Sequence, residues 1–151
     1  MRGILRLALV SLVAALALPA ATAGAATTVE KTPFNETFDA CGETITLSGT
    51  LLTIIDEQPL PNGGSLFTIH FQPQGISGTS SSGVPYHGTG LTRQTAVVAP
   101  SGTFTATFVN RFHIVGTRGA PTLDIKGTAH ITVTAAGEVT VDFGNFSEEC
   151  V

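Results

Sequence analysis

Thr103-Phe104-Thr105-Ala106-Thr107-Phe108-Val109-Asn110-Arg111-Phe112-His113-Ile114 is the stretch on which the fold class turns. Its even-numbered residues are Phe, Ala, Phe, Asn, Phe and Ile; the odd-numbered ones are Thr, Thr, Thr, Val, Arg and His. Successive side chains of a strand point to opposite faces, so this alternation describes a strand with one core-directed face and one polar face.

The same period continues downstream. Residues 116–119 read as a turn, after which Leu123, Ile125, Gly127, Ala129, Ile131 and Val133 share the inward parity and Thr128, His130 and Thr132 the outward one. Ala135-Ala136-Gly137 reads as a three-residue hairpin loop with glycine at a positive φ. It predicts Val133 opposite Val139, Ile131 opposite Val141 and His130 opposite Asp142. The 116–119 turn predicts Arg111 opposite Asp124 and His113 opposite Thr122; a shift of two residues keeps the faces and sets His113 opposite Asp124 instead.

Upstream, Phe67, Ile69 and Phe71 share a face, residues 44–55 alternate, and residues 56–64 with Pro59, Pro61 and Asn62-Gly63-Gly64 form a turn region. Residues 75–83 are rich in Gly and Ser and fit either a bulged strand or a loop. Nothing after residue 25 recurs at helical spacing. The chain is therefore expected to be all-β, a single antiparallel barrel of about eight strands, with a β-sandwich as the alternative. The barrel is favoured by the long strands and by Gly49 and Gly127 on the inward face, where glycine permits the coiling that closure requires.

Residues 1–25 have the plan of a cleavable signal peptide. Arg2 and Arg6 precede an apolar run from residue 7 to residue 18, Pro19 ends it, and Ala23-Gly24-Ala25 supplies small residues for a cut before Ala26. The run is shorter than the ~20 residues of a membrane span. Residues 26–151 are then one secreted, extracellular domain with no membrane span. Beyond residue 25 there are five basic residues (Lys31, Arg93, Arg111, Arg118, Lys126) against eleven acids, which argues against a nucleic-acid partner. Cys41 and Cys150 are the only cysteines, and an exported chain is expected to pair them. The bond should tie the first long strand to the last, directly or through a turn at residues 40–42.

Candidate chemistry is sparse. His70, His87, His113 and His130 lie on different strand-like segments without metal-ligand spacing, and His113 and His130 fall on outward faces, so no metal and no cofactor is expected. No serine sits in Gly-x-Ser-x-Gly, and the adjacent pairs Asp56-Glu57 and Glu148-Glu149 point to opposite faces of a strand, so no catalytic residue is assigned. Asn110 interrupts the inward run and must be satisfied by backbone, water or a ligand. With Phe108 and Phe112 beside it and Tyr86 at a rim, it forms the candidate ligand-binding set. Ladders built from Thr103, Thr105, Thr107, Thr128, Thr132 and Thr140 suit a hydroxylated surface for ice or polysaccharide, or simply the solvent side of strands. Asn35-Glu36-Thr37 and Asn145-Phe146-Ser147 match a glycosylation sequon, which matters only in a eukaryotic secretory host.

Cys41-Gly42-Glu43, His70 with Gln74-Gly75, Tyr86, Phe112-His113, His130-Ile131-Thr132, Gly137-Glu138-Val139-Thr140 and Cys150 resemble the pattern of a group of small secreted proteins of actinomycete type. The resemblance implies a shared fold and export and carries over no catalytic residue. In outline the expected barrel is similar to dirigent and allene oxide cyclase barrels, an analogy of architecture alone. The functional expectation is a non-catalytic binding protein for a small apolar molecule or a surface partner. A cyclase or isomerase with a cavity site and a structural or adhesive wall-associated protein are the alternatives.

Overall fold

Period-two patterning produces strands wherever the sequence shows it. The computed structural model describes residues 25–151, the side chains of 141–143 excepted. They form β1 (Ala26–Ala40), β2 (Glu43–Pro59), β3 (Ser65–Ser80), β4 (Pro85–Val98), β5 (Phe104–Gly116), β6 (Leu123–Val133) and β7 (Val139–Cys150). All seven belong to one antiparallel sheet in sequence order, each strand pairing with its chain neighbours. The signal-peptide reading of residues 1–25 lies outside the described residues except at Ala25.

The expected closure into a barrel is not made by hydrogen bonds. β1 pairs with β2 and β7 with β6, and no β1–β7 ladder joins them. The described strands number seven, in keeping with the expected count of about eight, and among them no second sheet forms the alternative sandwich. The edges explain the open seam. Pro33 on β1 has no N–H to give a partner strand, and Glu36 and Asp39 on β1 share their end of the molecule with Glu148 and Glu149 on β7. A ladder there would bring like charges together, an arrangement that keeps sheet edges apart.

Packing and a covalent bond hold the curl instead. At one end Ile45, Leu47, Ile76, Tyr86, Ile114 and Leu123, from β2 to β6, form a buried cluster onto which Phe34 and Phe38 of β1 pack. Burying each such large side chain contributes about 1.5–3 kcal/mol. The Cys41–Cys150 disulfide spans the same end, with Cα atoms 5.7 Å apart. Cys41 and Gly42, both at positive φ (55° and 80°), make the two-residue turn between β1 and β2. The bond thus reaches β7 from that turn, the second of the two expected routes, because β1 lies between β2 and the seam. It encloses a sequence separation of 109 residues, for which chain entropy gives about 4.7 kcal/mol as an upper figure. A second cluster, Phe67, Ile69, Ala96 and Ala106, fills the concave face of β3–β5 toward the other end.

Two bulges correct the register. Gly75, at φ 62°, places an extra residue of β3 opposite Gly49 and turns Ile76 inward, so residues 75–80 are a bulged strand. On β7, Val139 and Val141 face Val133 and Ile131 as expected, but His130 pairs with Phe143 rather than Asp142. The extra residue moves the rest of β7 by one, so that Phe146 faces Gly127 and Cys150 faces Leu123 on the inner side. Between β5 and β6 the shifted alternative is adopted, with His113 opposite Asp124. Pro121 cannot donate to a ladder, so β6 starts at Leu123 and a Thr117–Ala120 turn with positive φ at Arg118 and Gly119 precedes it.

Candidate functional site

Asn110 is on the concave face, as its place in the β5 alternation requires. It stands between Thr92 of β4 and Gly127 of β6, and the Thr92 hydroxyl donates a hydrogen bond to its side-chain oxygen. Its side-chain oxygen is thus engaged by a neighbouring side chain. Phe108 and Phe112 flank it along β5, both half-buried. Gln94, 2% exposed, and Thr53, 9% exposed, belong to the same polar band between the two apolar clusters.

Two of the protein's own rings lie over inward glycines beside this band. A Cβ at Gly88 would lie 2.8 Å from the tip of Phe112, and one at Gly127 would overlap the Phe146 ring. Glycine at these inward positions lets the two phenylalanines lie on the backbone of β4 and β6. A shallow, open depression of about 360 Å³ lies elsewhere, lined by Ala25, Thr27, Asp56, Glu57, Gln58 and Thr68, with no phenylalanine in it.

Tyr86 is not at a rim beside Asn110. It is 2% exposed within the cluster at the disulfide end, and six residues of β4 separate it from Thr92, the partner of Asn110. That is about 20 Å of strand. Burial, reinforced by the nearby Glu43 carboxylate, raises the pKa of its phenol. Glu43 in turn accepts from Ser82 at 2.7 and 2.9 Å, and Ser82 contacts Ser80 at 3.0 Å. Hydrogen bonds from Ser80 and Ser82 hold the Glu43 carboxyl below its ordinary value. With Ser81 N–H donating to the Thr44 carbonyl at 2.8 Å, this clasp fastens the β3–β4 turn to the start of β2. It has no base or nucleophile arrangement of the kind acyl transfer needs.

The convex face carries a further set of polar groups. His113 Nδ1 lies 2.8 Å from Asp124 Oδ1, and the Lys126 ammonium contacts the other oxygen of the same carboxylate. Lys126 and, secondarily, His113 lower the Asp124 pKa, while Asp124 raises that of Lys126. The Thr107 hydroxyl and His130 Nδ1 are 3.0 Å apart. The four histidines stay on separate rungs, and no group of three metal-ligating side chains occurs among the described residues. Arg93 and Arg111, for which the sequence pattern indicates no functional role, are both exposed on this face. Comparison with protein-family models, with curated proteins and with solved structures gives no match for this chain.

Proposed function

We propose that the chain is a secreted, non-catalytic binding protein that engages its partner through the convex face of its curled sheet. The observation that carries this reading is the filling of the concave face: Phe112 over Gly88 and Phe146 over Gly127 occupy space that an internal ligand would need. A ligand cavity commonly measures ~300 Å³ or more and is largely enclosed, whereas the described depression is open and lies at the start of β1. On this view the strands keep the up-and-down order of a barrel, and the disulfide replaces the closing ladder.

One observation favours a second reading, a small apolar ligand in the trough. Phe71, Phe108 and Asn110 are only half-buried on the concave face. A cyclase or isomerase would further need an acid or base beside Asn110, where its immediate inner-face neighbours are Thr92, Phe108, Phe112 and Gly127.

Native mass spectrometry of the disulfide-bonded protein, purified from the culture of its own host, separates the two. The convex-face reading expects the mass of the polypeptide alone. A stoichiometric apolar molecule that survives purification and leaves on denaturation would overturn it in favour of the trough.

A further inference from the structure

The charges of this acidic chain are segregated. Residues 58–123 contain no Asp or Glu; all eleven acids lie before or after. Those central residues build β3, β4 and β5, while the acids fall on or beside β1, β2, β6 and β7. The middle of the sheet is therefore cationic within a molecule that is negative as a whole.

Register gathers basic side chains into a stripe on the convex face. His70 of β3 stands opposite Arg93 of β4, and Arg111 of β5 stands opposite Lys126 of β6 one outer rung away. Four adjacent strands contribute one basic side chain each, across about 14 Å at the usual strand spacing. Arg93 and Arg111 are exposed and have no carboxylate partner among the described residues. Lys126 is ion-paired with Asp124 of its own strand, which offsets its repulsion from Arg111 directly opposite, so among the described residues the free cations of the stripe are Arg93 and Arg111. Leu91, 44% exposed, faces Arg111, and Val109, 38% exposed, faces Arg93. The stripe thus alternates cations with bare aliphatic side chains. Thr95, Thr107 and Thr128 extend it with hydroxyls on the neighbouring rungs.

We propose that this stripe binds an acidic polysaccharide, the Arg93 and Arg111 guanidiniums taking its carboxylates or sulfates, Leu91 and Val109 its ring faces, and the threonines its hydroxyls. The inference rests on the convex-face reading and names the chemistry of its partner. Guanidinium pairs with carboxylate and sulfate through parallel N–H donors. The geometry favours a narrow chain. A bilayer or a duplex is broad enough to meet the flanking acids Asp56 of β2 and Glu149 of β7 on the same face, and net negative charge repels both. A single polymer strand laid across Arg93 and Arg111 avoids them, and Asp124 on the same face is already engaged by Lys126.

The test is binding of the full secreted domain to polygalacturonate and to heparin, as carboxylate and sulfate probes, with neutral dextran as a blank. The wild type should bind a polyanion at low salt and release it as salt rises. Arg93→Gln with Arg111→Gln should weaken binding by about tenfold or more, the size of one lost charge-assisted contact. Arg118→Gln, in the β5–β6 loop and off the stripe, should leave it unchanged, and circular dichroism should show all variants folded. Three results would overturn the proposal: no binding of either polyanion, equal losses for Arg118→Gln and Arg111→Gln, or tighter binding to phosphatidylglycerol vesicles than to both polymers. Each is independent of the mass measurement above, so this inference can fail while the filled concave face stands.

Discussion

Gly127 carries no side chain because the ring of Phe146 occupies the place of its Cβ. A glycine inside a strand ordinarily weakens it, so alanine would improve the strand if the space were free. Because the ring already fills the position a methyl group would take, Gly127→Ala should instead lower stability by about 1–3 kcal/mol, the usual range for overpacking. Replacing Phe146 by Leu in the same chain should recover part of the loss. Urea unfolding of the three proteins measures this, and a neutral or stabilising Gly127→Ala would show that the ring lies elsewhere. Asn110 shows what was legible at this scale. Its inward face follows from alternation within β5 alone. Its partner Thr92 does not, because Thr89-Gly90-Leu91-Thr92 has little apolar patterning and its register depends on β5.

Strands were legible as elements, and their registers only in part. Uniform parity through β7 would have turned Phe146 and Cys150 away from the core side. The bulge after His130 restores them, at the cost of one unpaired residue. No turn signal marks that residue, so the sequence offered no reason to place it. The β3 bulge did have a marker, Gly75, within a stretch that also fits a loop. The Glu43 clasp is invisible in the sequence because it joins two separate turns, and it predicts a pH dependence. The folded pKa of Glu43 is lowered, so its contribution to stability is present above the ordinary carboxylate value and is lost as pH falls through the lowered one. Glu43→Gln should therefore reduce the thermal midpoint most near neutral pH, and the gap from wild type should shrink in acid. A gap that is constant with pH would assign the loss to packing rather than to the ionised carboxylate.

For the whole molecule, an up-and-down all-β domain with Cys41 joined to Cys150 could be read from alternation, turn residues and cysteine count. Closure could not, since it depends on whether two edges tolerate each other. Pro33, Glu36 and Asp39 on one edge and Glu148 and Glu149 on the other favour an open seam. The absence of acids from residues 58–123 was equally present in the sequence. It acquires meaning only once β3, β4 and β5 are neighbours and their odd and even faces are known. Central to the whole account is a sheet closed by its disulfide and its core but not by a β1–β7 ladder. Amide hydrogen exchange of the oxidised protein, resolved by residue, tests this most directly. Strands β3, β4 and β5 have partners on both sides, whereas the edge strands β1 and β7 have one each, leaving every second amide without a ladder acceptor. Fast exchange should therefore alternate with slow exchange along β1 and β7, against uniform protection in β4. Continuous protection along both β1 and β7 in the monomer would mean that the barrel is closed and would contradict the account.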